Sequence, residues 1–156
     1  MISLIVAYAN NRVIGKDGKI PWNLIDDLHH FKELTLGTTL IMGRKTYEEI
    51  NHPLEGREII VVSKTKEFND EHVCTAHSLQ EALDLAQTEC IMIAGGQALY
   101  QEALPLVEKM YITKLDVTVE GDAFFPEFDD TKFEVIPGPI VEEKIKYQYF
   151  TYIRLS

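Results

Sequence analysis

Apolar residues fall along this chain in short runs, bounded by glycine, proline or charge. Residues 2–9, 39–42, 58–63 and 90–94 are dominated by Ile, Leu, Val, Met and Ala, the pattern of parallel strands buried on both faces. Residues 72–75, 110–116, 132–137 and 148–155 read as further strands. Helical spacing of apolar positions predicts helices over residues 24–35, 45–50, 79–86 and 98–104. Ser78 with Glu81 forms a capping box at the third of these, and Pro105 stops the fourth. Strands alternating with helices predict an α/β fold: a single domain over residues 1–156, with a mostly parallel central sheet of about eight strands flanked by four helices. The last apolar run has no helical partner and is expected to close the sheet as an antiparallel C-terminal strand. Residues 10–23 form the longest irregular stretch, broken by Gly15, Gly18 and Pro21, the kind of segment that serves as a lid or binding loop.

Composition narrows the field. The 156 residues are 46% hydrophobic and 26% charged, enough apolar material for a real core. A formal charge of -10 leaves no basic stripe to replace phosphate counterions, which argues against nucleic acid. It allows a small anionic ligand held by local cations beside glycine turns. Cys74 and Cys90 lie far apart without metal-site spacing and are expected to be buried thiols in a reducing cytoplasm. Residues 2–9 are too few to span a bilayer and lack a signal's basic flank, so they read as a buried strand of a cytoplasmic protein. The five histidines show no ligand spacing, and no metal is expected.

The first helix carries the sharpest chemical signal. On a 3.6-residue period Leu24, Asp27, Phe31 and Leu34 share one face, with Leu28 on its flank. Asp26, His30 and Glu33 share another, entirely polar face. A carboxylate on an apolar face costs free energy unless something pairs with it. Asp27 is therefore either satisfied by the helix N-terminus or a functional acid, and periodicity does not choose between them. Gly95-Gly96 follows an apolar strand and precedes a helix, where a phosphate can be received; a plain tight turn fits equally. Gly43, Arg44, Lys45 and Thr46 repeat the arrangement, and two such turns favour a ligand. Neither G-x-G-x-x-G nor a P-loop is present, so a nucleotide would be held another way. Arg57, taken alone, reads as a solvated loop arginine, and Trp22 equally as core.

Taken together these segments resemble dihydrofolate reductase, in order over nearly the whole chain. The carriers are Arg12-Val13-Ile14-Gly15, Pro21-Trp22 with Asp27 five residues on, Thr35-Leu36-Gly37, and Met42-Gly43-Arg44-Lys45-Thr46. They continue with Pro53-Leu54-x-Gly56-Arg57, Ala94-Gly95-Gly96-x-x-x-Tyr100, Tyr111-Ile112-Thr113 and Glu120-Gly121-Asp122-x-x-Phe125-Pro126. The resemblance implies hydride transfer from NADPH to dihydrofolate, giving tetrahydrofolate. Asp27 matches the acid that binds the pterin and promotes its protonation, with Thr113 as partner and Trp22 beside it. Ile5, Ala7, Leu28, Phe31, Ile50, Leu54, Ala94 and Tyr100 match the surroundings of the substrate, and Arg57 the clamp on its glutamate carboxylate. For the cofactor, Ala7, Ile14 and Gly15 match the nicotinamide contacts. Gly43 to Thr46 and Gly96, Gln97, Ala98, Leu99 and Tyr100 match the phosphate-binding turns, with a cis peptide at Gly95-Gly96. Lys45 belongs to the first of these turns, and Arg44 and Ser63, with Lys64 nearby, match the ribose-phosphate subsite. The resemblance further implies a cytoplasmic monomer that binds antifolate inhibitors, a lid over residues 14–20, and a neighbouring loop at Gly121 and Asp122 that steadies it.

Three positions depart from the pattern: Ile25 replaces a frequent proline, Asn51 stands where glycine is usual, and Ala94 is smaller than the usual wall residue. Two other readings compete. A pyrimidine reductase of riboflavin synthesis would share fold and cofactor, but its substrate has no glutamate tail for Arg57. A non-catalytic nucleotide-binding module would give Asp27 no role.

Overall fold

The computed structural model describes residues 1–16, 25–50 and 55–155, with the backbone alone for residues 25–27. The apolar runs become strands: β1 (Ile2–Tyr8), β3 (Thr39–Gly43), β4 (Glu58–Val62), β5 (Val73–Ala76), β6 (Ile91–Ile93) and β7 (Lys109–Leu115). The helices are α1 (Ile25–Thr35), α2 (Arg44–Ile50), α3 (Leu79–Leu85) and α4 (Gln97–Ala103). As the capping box predicts, the Ser78 hydroxyl accepts from the Glu81 amide at 3.1 Å. The Glu81 carboxylate reaches back to the His77 amide at 2.8 Å, so two amides at the helix start are satisfied.

Two antiparallel strands close the sheet, β9 (Phe133–Glu142) and β10 (Lys146–Arg154), giving the order β5-β4-β3-β6-β1-β7-β10-β9. Strands β5 to β7 in that order run parallel, and β10 runs against both β7 and β9. The strand expected over residues 132–137 continues through Pro137 and Pro139 to Glu142. Proline is tolerated there because β9 is the outermost strand and its outward amides need no ladder partner.

Alternation along the strands divides the core in two. Leu4, Val6, Ile41, Ile93, Met110 and Ile112 point to one face with α3 and α4. Ile5, Leu40, Met42 and Met92 point to the other, where Phe31 and Leu34 of α1 and Ile50 of α2 pack against them. The latter face carries the candidate site.

The structure corrects three expectations. The stretch over residues 10–23 is not wholly irregular: β2 (Val13–Gly15) pairs with β8 (Ala123–Phe124) in a small separate sheet. Its three residues are too few to show a period. Cys74 and Cys90 are exposed rather than buried, Cys74 on the edge strand β5 and Cys90 in the connection ahead of β6. The polar face expected for α1 is not wholly solvated, since His30 is half-buried and stacks on Tyr149 with ring centroids 3.8 Å apart. Among the described residues, no helix is long and apolar enough to cross a membrane.

Candidate active site

Parallel strands all end on one side of a sheet, so their carboxyl ends and the turns after them gather there. Register then decides which side chains meet. Ile5 pairs with Tyr111 and Ala7 with Thr113 across β1 and β7, while Tyr149 of β10 pairs with Thr113 from the other side. By strand parity Ile5, Ala7, Ala94 and Thr113 all belong to the face covered by α1. Thr113 is 3% exposed, Ile5 is buried, and Ala7 and Ala94 are half-buried. Above them Phe31 and Ile50 are half-buried, while Leu28 stays 42% exposed. His30 rests on Tyr149, so α1 is held down beside Thr113 as well as by Phe31 and Leu34. Burial holds the His30 imidazole below its ordinary value, and Glu33 partly opposes this. Nothing in the local pattern signals the ring pair, because 119 residues separate its partners in a chain of 156.

Asp27 lies in α1 one turn before Phe31, in the register that the periodicity gives it. Its side chain, and all of Trp22 and Leu54, lie outside the described residues.

Arg57 is not a solvated loop arginine: only 9% of it is exposed. Its Nε donates to the Thr35 hydroxyl at 2.8 Å, Nη1 donates to the Glu55 carbonyl and Nη2 to the Lys32 carbonyl. The last turn of α1 leaves carbonyls without helical partners, and the guanidinium satisfies one of them. Three of its five N–H groups are thereby engaged by described residues, which fixes the plane of the guanidinium. Burial pulls its pKa down from the ordinary guanidinium value.

At the carboxyl ends of β3 and β6 the glycine turns come together. The Gly43 amide donates to the Gly95 carbonyl at 2.7 Å, and the Gly95-Gly96 peptide bond is cis, as the resemblance implies. Gly95 has φ +105, a conformation that favours glycine, and a Cβ there would also crowd the Tyr100 hydroxyl at 3.1 Å. Tyr100 is buried, donates to the Ile5 carbonyl at 2.8 Å, and has its pKa raised by burial. A Cβ on Gly96 would stand 3.7 Å from the Thr46 hydroxyl, which brings the starts of α2 and α4 side by side. Lys45, Gln97 and Ala98 are exposed there, and Leu99 is buried beneath them.

Further along this edge are Arg44 and Ser63. Ser63 is buried and its Oγ accepts from the Lys66 amide at 3.1 Å; Lys64 is exposed. Arg44 donates to the Glu48 carboxylate at 2.8 Å and to the Thr65 hydroxyl at 3.4 Å. This concentration of cations in a chain of formal charge -10 is chemically suited to an anionic group.

The small sheet holds Ile14 and Gly15, the residues at which the expected lid begins. Ile14 is half-buried against the core and Gly15 is buried. The Gly15 carbonyl accepts from the Asp122 amide at 3.0 Å, and Lys16 pairs with Glu120 at 3.2 Å. Gln97 of α4 also accepts from the Phe124 amide at 2.8 Å, a contact not legible in the motifs.

The comparisons agree with this geometry. A family model described as dihydrofolate reductase matches residues 1–154. The chain is 48% identical over 130 residues to dihydrofolate reductase type 3 of Salmonella typhimurium, covering 82% of this chain and 80% of that protein. It is 40% identical over 153 residues to dihydrofolate reductase of Bacillus subtilis, covering 96% and 90%, and 42% identical over 155 residues to that of Staphylococcus haemolyticus, covering 97% and 93%. With an α/β sheet of this order, a matching family model along nearly all its length and relatives at these identities, the chain belongs to the dihydrofolate reductase family, oxidoreductases that use NADPH.

Proposed function

We propose that this chain reduces 7,8-dihydrofolate to 5,6,7,8-tetrahydrofolate in the cleft between α1 and the sheet, acting as a cytoplasmic monomer of one domain over residues 1–156. The observation that carries the reading is the convergence of Ile5, Ala7, Ala94 and Thr113 on the sheet face covered by α1, the helix that contains Asp27. When bound, NADPH supplies the hydride. Asp27 binds the pterin's amino group and ring nitrogen and, with Thr113 as its partner, favours the protonated ring. Trp22 is the residue that the family resemblance assigns beside this pair. Ile5, Leu28, Phe31, Ile50, Leu54, Ala94 and Tyr100 exclude water and hold the flat substrate. The fixed guanidinium plane of Arg57 suits a carboxylate, which needs a planar and already oriented partner. Antifolates of the same shape would occupy the same cleft.

The residues on the other wall fit the cofactor. Ala7, Ile14 and Gly15 border the nicotinamide end. Gly43, Arg44, Lys45, Thr46, Gly95, Gly96, Gln97, Ala98, Leu99 and Tyr100 border the phosphates, where paired glycine turns let backbone approach closely. Arg44, Ser63 and Lys64 border the 2′-phosphate. The test is to mix the protein with NADPH and dihydrofolate and follow NADPH absorbance. A steady decay that requires both is expected; folded protein that binds NADPH without consuming it would overturn the reading.

A further inference from the structure

The cations at the ribose-phosphate side bring a carboxylate with them. Glu48 lies one turn beyond Arg44 in α2, and its Oε1 accepts from Arg44 Nε at 2.8 Å. Its other oxygen, Oε2, lies 3.7 Å from Lys66 Nζ. Lys66 is itself fixed beside Ser63, because its amide donates to the Ser63 hydroxyl, and its ammonium also lies over the Phe68 ring. The Arg44 hydrogen bond holds the Glu48 carboxyl below the usual carboxylate range. One monoanion therefore bridges two cations at the edge where the proposed subsite lies.

We propose that Glu48 is a specificity-determining residue, a built-in counter-ion that competes with the cofactor's 2′-phosphate for Arg44 and Lys66. The proposal rests on the reading above that Arg44 belongs to that subsite. A phosphate monoester carries about two negative charges near pH 7 and accepts bidentately from a guanidinium, so it outcompetes a carboxylate for Arg44. Glu48 then stays tethered one helical turn away from a dianion, and like charges at that range repel. NADH, with a neutral hydroxyl in the same place, meets no such opposition. Glu48 therefore lowers the preference for NADPH below what Arg44 and Lys66 alone would give. The pair is well exposed, 44% for Arg44 and 42% for Glu48, so water and salt limit the effect to a small factor. The opposite role, in which Glu48 orients Arg44 for the phosphate, predicts the opposite sign.

The experiment measures dissociation constants for NADPH and NADH by titration calorimetry on the intact protein, Glu48→Gln and Arg44→Ala, at low and high ionic strength. Glu48→Gln is expected to tighten NADPH about two- to five-fold at low salt, leave NADH in place, and lose the gain near 1 M salt, where screening acts within about 3 Å. NADPH binding that is unchanged or weaker in Glu48→Gln, or equal tightening of both cofactors, overturns the proposal. If Arg44→Ala still weakens NADPH selectively, the subsite reading stands alone. Equal losses of both cofactors in Arg44→Ala would instead overturn the subsite reading, and the proposal with it.

Discussion

Asp27 and Arg57 illustrate how differently single residues reveal their roles. For Asp27 the helical period places a carboxylate in line with Phe31 and Leu34, which turn to the sheet. An amide keeps that shape but cannot carry the charge that favours a protonated pterin. Asp27→Asn should fold and bind NADPH normally while losing on the order of 100-fold or more in single-turnover hydride transfer. The loss should shrink toward acid pH, where solvent supplies the protonated substrate. Asp26→Asn should change the rate by less than about twofold. Near wild-type rates in Asp27→Asn, or a collapse in Asp26→Asn, would reverse the assignment. Arg57 shows nothing of its burial locally; its partners Lys32 and Thr35 come from another element. Arg57→Ala should weaken dihydrofolate far more than a truncated pterin without the glutamate tail. It should also cost about 1–3 kcal/mol of stability, because part-buried hydrogen bonds from a charged donor are lost. An unchanged preference between the two substrates would leave Arg57 with the structural task alone.

At the scale of elements, the small sheet is held by an exceptionally close contact. A Cβ on Gly121 would lie 2.3 Å from Val13 Cγ1 and 2.7 Å from the Gly15 carbonyl, and the second atom is backbone that cannot swing aside. Gly121→Ala should therefore push β8 and its loop away from β2, at a cost of about 1–3 kcal/mol typical of overpacking. The urea midpoint should fall, and Val13→Ala in the same chain should restore only part of it, because the carbonyl overlap remains. An unmoved midpoint would mean that the loop relaxes freely. The larger elements were legible because each is defined by neighbours two to four residues apart: the observed bounds of α1 to α4 and of the parallel strands differ from the periodic pattern by no more than one residue at either end. The pairing of β2 with β8 was not legible, since it joins two very short segments more than a hundred positions apart.

For the whole molecule, the contact between His30 and Tyr149 ties the first helix to the last strand and links folding to pH. Burial keeps the folded-state pKa of His30 below the unfolded value of about 6.5. The unfolded chain therefore binds this proton first as pH falls, so stability declines below the unfolded pKa until the folded one is passed; above it the contribution vanishes. Phenylalanine preserves a flat ring against Tyr149 and removes the titration. His30→Phe should lose less stability than the parent between pH 7.5 and 5 in urea unfolding, and identical declines would show that His30 titrates as freely folded as unfolded.

The sequence by itself determined the alternation of strands and helices, the capping box at Ser78, and the ordered motifs that identify the family. These depend on short-range period and on residue type at fixed spacing, and both can be read from a linear text. Even the pairing of Arg44 with Glu48 is of this kind, since residues four apart on a helix are neighbours. Tertiary structure alone decided that Thr113 stands beside Ala7, that Arg57 is buried under the end of α1, that Gly121 has no room for a side chain, and that His30 meets Tyr149. Each of these depends on sheet register or on the docking of one element on another. A shift of one residue in register would turn every side chain of a strand to the opposite face without altering the sequence pattern.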